Sequence, residues 1–270
     1  MADRTLIRRV TNGHSWFTLD GCLMPSPSKI KLSQPFLDNY HAEVAADVVT
    51  DCWEDLAGRA PSDRRKFFVE KTVSGFGKPA EDGKLRHSLM EALAKGEKAT
   101  SDDAGAVVDA ECAKRAMERY GIVPVESELM VVNTSTWCAG TTDMIANVAG
   151  YGRVVMDFKF GKEVWPDYAL QLSAYAHMTN TIVEVEHRGV RGGVKPSTWE
   201  LGTMPKVRTD VALLLHTHDG VSDLYEVKTN GWVWSAVVAW CRAWWLADPR
   251  MRPAGPFFES PLTVVEKEGF

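Results

Sequence analysis

The chain lacks the features that mark several large protein classes. None of its apolar runs approaches the ~18 residues that a membrane-spanning helix needs, and the opening stretch MADRTLIRRV is charged, without the apolar segment of a secretory signal. The expectation is a cytoplasmic protein with no membrane partner. Cysteine is sparse: Cys22, Cys52, Cys112, Cys138 and Cys241 lie far apart, and no two form a CxxC pair. That spacing argues against a zinc ribbon or a locally ligated cluster and suits reduced thiols. A basic excess is missing too. Lys and Arg total 31 against 36 Asp and Glu, a formal net charge of −5. Nucleic-acid-binding domains are often strongly basic, so a polyanion would have to be met by a local groove and not by the whole surface. Internal repeats and low-complexity segments are also absent.

What is present is ordinary globular material: 270 residues, 45% hydrophobic and 25% charged, enough for one large domain or a domain with an appendage. Residues 1–35 read as irregular or partly extended, with a Pro- and Ser-rich run MPSPSKIKLSQP. Residues 36–57 have helical spacing, and Pro61-Ser62-Asp63 starts another helix. GFGKPAEDG (75–83) reads as a turn, followed by a helix with Leu85, Leu89, Met90 and Leu93 on one stripe and Gly96 as its stop. A helix over 102–120 ends at Gly121. Strands are expected over 123–132, 137–148 and 152–160, the last two joined by the short turn AGYG. Residues 187–208, rich in glycine and basic side chains, read as a mobile loop. Asp219-Gly220 marks a second hairpin, and a Trp-bearing helix precedes a loosely ordered tail.

The stretch from Gly140 to Tyr175 carries the chemistry. Asp143 falls in one strand; Asp157 and Lys159 fall in the next, two apart and so on one face. Gln171 and Tyr175 are four apart on a helix, again on one face. Two carboxylates and a lysine suit phosphodiester hydrolysis, which needs an activated water and neutralised phosphate charge. Asp143 and Asp157 are hard oxygen ligands of the kind Mg²⁺ takes, and the Phe158 carbonyl lies between the two same-face side chains. Read alone, Asp-x-Lys is equally an ion pair at a strand end, and His87 is a helix histidine beside an apolar stripe.

The order GTTD (140–143), DFK (157–159) and QLSAY (171–175), with GKLRH (83–87) upstream, resembles the RecB-like branch of the PD-(D/E)xK nuclease superfamily, and the layout resembles exonucleases of actinobacterial phages. The resemblance covers residues 83–180 by motif and 20–245 more loosely. It implies an α/β fold with a restriction-endonuclease-like core: a central mixed sheet flanked by helices. It implies a mostly helical lead-in over 1–82, a nuclease core with C-terminal hairpin and Trp-rich helix over 83–245, and a tail over 246–270. It further implies His87, Asp143, Asp157 and the Phe158 carbonyl as ligands of Mg²⁺, with Mn²⁺ able to replace it. Lys159 would help to position and activate water, and Gln171 and Tyr175 would position strand or water. Glu128 would be metal-proximal, with Glu126 competing for that place. Arg188, Arg191 and Lys195 become candidates for phosphate contacts, a solvated loop being the other reading. The cysteine spacing departs from that of the iron–sulfur relatives, so no cluster is expected. The implied activity is a DNA exonuclease of phage or bacterial recombination, replication or repair, located in the bacterial host cytoplasm if phage-encoded. DNA is the implied partner, with a recombination or single-strand-binding protein beside it. A site-specific endonuclease of the same fold, a non-catalytic DNA-binding accessory and an unrelated soluble enzyme are the alternatives.

Overall fold

The computed structural model describes residues 6–11, 14–19, 22–30, 35–94, 96–188 and 194–247. Three short strands open the chain: β1 (Leu6–Thr11), β2 (His14–Leu19) and β3 (Cys22–Met24), followed by a 3-10 turn at Pro27–Lys29. Helices α1 (Pro35–Asp51), α2 (Trp53–Ala57), α3 (Pro61–Ala94) and α4 (Ala104–Arg119) come next. Then follow β4 (Ile122–Asn133), β5 (Cys138–Val148), β6 (Gly152–Phe160), α5 (Asp167–Ala176), β7 (Asn180–Arg188), β8 (Val194–Thr203), β9 (Val211–His218), β10 (Val221–Lys228) and α6 (Trp232–Ala247). The described strands form one ten-stranded mixed sheet in the order β10-β9-β6-β5-β4-β7-β8-β1-β2-β3. The β6–β9 pair is parallel; the other pairs are antiparallel. Among the described residues no helix is long and apolar enough to cross a membrane.

Alternation along the central strands makes three layers. Met144, Ala146, Val154, Met156 and Phe158 face α3 and α4, which supply Leu89, Met90, Ala113 and Met117. Ile145 and Val155 face the other way, onto Leu170 and Ala174 of α5 and Val233 and Val237 of α6. Each large apolar side chain buried in this way contributes about 1.5–3 kcal/mol relative to exposure. Local signals set the element ends. Asp103 caps α4 by accepting the Ala106 N–H at 3.0 Å. Gly96 leaves α3 at φ 79°, and the Asp219-Gly220 turn has φ 47° and 74°, the pattern of a tight hairpin.

Three stretches depart from the sequence reading. Residues 6–11, 14–19 and 22–24 are strands that lengthen the sheet, more than the partial extension expected, with β2 joining through β1 to β8 and carrying Phe17 into a small core with Val132, Ala139 and Ile182. Residues 75–83 are helix, not turn, so α3 runs unbroken across residues 82 and 83. Pro79 offers no N–H there, and Gly75, Gly77 and Gly83 are weak helix formers. Tertiary packing overrides that propensity: Leu85, Leu89, Met90 and Leu93 lie on the core, and Arg86 reaches Asp109 of α4 at 2.8 Å. The expected loop over 187–208 is mostly strand. β7 and β8 pair from Asn180↔Thr203 to Arg188↔Val194, and Gly202 leaves room for Thr181 and Val183 of β7. Residues 248–270, the expected tail, lie outside the described residues.

A side chain at Gly83 would meet nothing within 4 Å. Gly83→Ala should therefore raise stability by about 0.5–1 kcal/mol through helix propensity alone. Urea unfolding of the two proteins measures it.

Candidate functional site

The site forms where two strands part. The β5–β6 ladder runs from Val148↔Gly152 to Met144↔Met156 and pairs no residue beyond. β6 continues instead beside β9, from Met156↔Leu213 to Phe160↔Thr217. In the opening, Asp143 Oδ2 accepts the Phe158 N–H at 2.9 Å. A carboxylate thus takes the place of a ladder carbonyl. Crevices at the carboxyl ends of parallel strands are where α/β sheets commonly hold ligands.

Asp157 is 1% exposed. Its Oδ2 pairs with the Lys159 ammonium and makes no other hydrogen bond among the described residues; its Oδ1 accepts from Gln171 Nε2 at 3.3 Å. Burial pushes the Asp157 carboxyl up to about 7, with Asp143 adding to the shift and Lys159 opposing it. Burial also works against the Lys159 charge, but Asp157 and Asp143 together hold its pKa above the ordinary lysine value. Lys159 therefore stays cationic. Its ammonium lies 5.1 Å from the centre of the Tyr168 ring.

His87 arrives from the opposite layer. It stands on α3, edge-on to Phe158 and Phe160, with its Nδ1 3.3 Å from Asp143 Oδ2. Burial lowers its pKa, Asp143 opposes, and Lys159 lowers it further. A neutral imidazole is the form that binds a metal. Tyr175 is buried and pushed well above the usual tyrosine range by burial and by both carboxylates. It stays a neutral phenol. Gln171 thus braces Asp157 from α5, and Gln171 and Tyr175 both line the groove.

An open groove of about 640 Å³ lies over these groups. Glu128 lines it, with a left-handed φ of 51° between the pairs Ser127↔Met144 and Leu129↔Thr142. Such a backbone costs about 1–3 kcal/mol in a non-glycine residue and tends to occur at functional positions. Glu126, its competitor, is paired with Ile145 further along β4 and does not line the groove. Gly140 has a packing reason. A Cβ there would stand 2.9 Å from Pro27, 3.1 Å from the Tyr175 hydroxyl and 3.2 Å from Ser26.

The structure thus brings His87, Asp143, Asp157, Phe158, Lys159, Gln171, Tyr175 and Glu128 to one place. Arg188 and Lys195 are not on a loop: they fall in β7 and β8 at the far end of that hairpin, and Arg191 lies outside the described residues. Sequence reasoning missed Lys84, Ser88 and Glu91, which line the groove from α3. Lys84 and Glu91 lie three before and four after His87, so helical spacing was a usable signal. It also missed Ser26, Ser28 and Lys29, for which no local signal exists. Among the described residues no three His, Cys, Asp or Glu side chains are grouped closely enough to hold an ion as they stand. Lys159 occupies one carboxylate and His87 leans on the other. No protein-family model matches the chain, and the search of curated proteins found no match.

The raised Asp157 pKa has a signed consequence. The folded value of about 7 lies above the ~3.9 of an unfolded aspartate. The contribution to stability is therefore complete below pH ~4 and is lost as pH rises through 7. In metal-free buffer, the stability of the wild type relative to Asp157→Asn should fall by on the order of 2 kcal/mol between pH 5 and pH 8. Denaturant melts across that range measure it.

Proposed function

We propose that the protein is a divalent-cation-dependent deoxyribonuclease of the RecB-like branch of the PD-(D/E)xK superfamily. Exonuclease action is the favoured form, in phage or bacterial DNA recombination, replication or repair within the cytoplasm. The observation that carries the reading is convergence: α3, β5, β6 and α5 bring His87, Asp143, Lys159 and Gln171 to one groove, with Asp157 buried beneath it against Lys159 and Gln171. A recombination or single-strand-binding protein is the macromolecular partner this role suggests.

The donor set fits a hard cation. Asp143, Asp157 and the Phe158 carbonyl offer oxygen, and neutral His87 offers nitrogen, a mixture suited to Mg²⁺ or Mn²⁺. The buried Asp157 Oδ2, whose partner among the described residues is the Lys159 ammonium, is an oxygen that a cation would stabilise. A cation held there supplies positive charge at the phosphate and acidifies water. Because Lys159 keeps its proton, it acts as a cationic donor that orients water and steadies charge on the phosphate, not as a base. Gln171, which lines the groove, donates to the buried Asp157 carboxylate, and Tyr175 lines the groove one α5 turn further on.

End-labelled linear DNA incubated with the protein should give products in Mg²⁺ or Mn²⁺ and none in EDTA. Asp157→Ala and Lys159→Ala should each lower the rate by about 100-fold or more. Defined cuts in covalently closed circles would instead mark a site-specific endonuclease. DNA binding with no product under any metal would mark a non-catalytic accessory. Since the cation must displace the Asp157 proton, Mn²⁺ should raise the melting temperature more at pH 8 than at pH 6. Differential scanning fluorimetry reads this without any nuclease assay.

A further inference from the structure

The N-terminal segment is built into the groove as a wall. Residues 25–30 lie across the start of β5, where the Ala139 N–H donates to the Pro25 carbonyl at 3.1 Å. Pro25, Pro27 and Ile30 are buried, and Gly140 lets Pro27 pack directly on the strand. With its apolar residues anchored, the segment turns its polar ones to the groove. Ser26, Ser28 and Lys29 line it, the two hydroxyls 3.0 Å apart. Ser28 is exposed and Lys29 half-buried. Lys84 and Ser88 of α3 line the same groove. Asp143, Lys159 and Gln171 line it as well, so the reacting groups share a trough with two hydroxyl- and ammonium-bearing segments. Its volume of about 640 Å³ is that of a small-ligand pocket, room for a nucleotide and its flanking phosphates.

Resting on the nuclease reading, we propose that the strand to be cut lies in this trough as a single strand, with a backbone phosphate held by Ser28 and Lys29. Hydroxyl and ammonium donors are the chemistry that positions a phosphodiester without reading its base. Lys29 is then a positioning residue: it touches the strand away from the reacting phosphate.

The test is fluorescence anisotropy of a labelled single-stranded 20-mer in EDTA, titrated with wild type, Lys29→Gln, Lys29→Arg and Ser28→Ala across a salt series. Lys29→Gln should weaken binding about three- to tenfold for every sequence and make the slope of log K against log salt shallower by about 0.7. Lys29→Arg should restore both, and Ser28→Ala should weaken binding with the slope unchanged. In Mg²⁺ the loss should fall on KM and leave kcat within about twofold. A duplex with both ends closed by hairpin loops should bind more weakly than the single strand. The proposal is overturned if Lys29→Gln matches wild type in affinity and slope while wild type binds and cuts DNA, or if the closed duplex binds as tightly. If wild type neither binds nor cuts any DNA, the nuclease reading itself fails and takes this inference with it.

Discussion

A carboxylate buried at the end of β6 sets the terms for everything around it. Asp157 is 1% exposed, and an isolated charge there would be prohibitively expensive. The fold answers from two directions. Lys159, two residues on along the same strand face, supplies a cation. Gln171, one α5 turn before Tyr175, supplies an amide donor. The compensation is incomplete, which is why the Asp157 proton is held up to about 7. A group left in that balance is sensitive to any added cation. Stability and candidate chemistry meet in the same few atoms.

The parting of β5 from β6 makes this balance accessible. Had the ladder continued past Met144↔Met156, Asp143 would point from a closed sheet face. Its carboxylate instead lies in the gap, accepts the Phe158 N–H, and is met by His87 from the other layer. One oxygen is therefore reached from within the sheet and from the α3 layer. The ring edges of Phe158 and Phe160 hold the imidazole at that level. Burial lowers the His87 pKa against the opposing Asp143, burial and the two carboxylates raise that of Tyr175, and the two carboxylates raise that of Lys159 against burial.

The N-terminal strands give the site its outer boundary. β1, β2 and β3 extend the sheet by way of β8, and the turn after them comes to rest against Gly140 and Tyr175. Gly140 thus has two neighbours that no nearby residue announces: Pro27, more than a hundred positions upstream, and Tyr175 on the helix behind. A glycine read as part of a motif proves to be the contact that admits a distant segment.

Much of the centre was legible because it is local. Strand alternation placed Asp157 and Lys159 on one face, helical spacing put Gln171 beside Tyr175, and Asp219-Gly220 made its turn. Where the reading failed, packing had overruled local preference. α3 runs through Pro79 and three glycines because its apolar stripe is held by the core, and residues 180–188 and 194–203 are strands because each offers the other a ladder. By itself the sequence determined which faces are apolar and where the Asp219-Gly220 hairpin turns, since these depend on neighbours within a few positions. Only the tertiary structure decided that His87 meets Asp143 across the sheet edge, that Glu128 takes a left-handed backbone, and that Ser28 and Lys29 wall the groove. Those relations join residues tens to more than a hundred positions apart, and their energy exists only once the layers have packed.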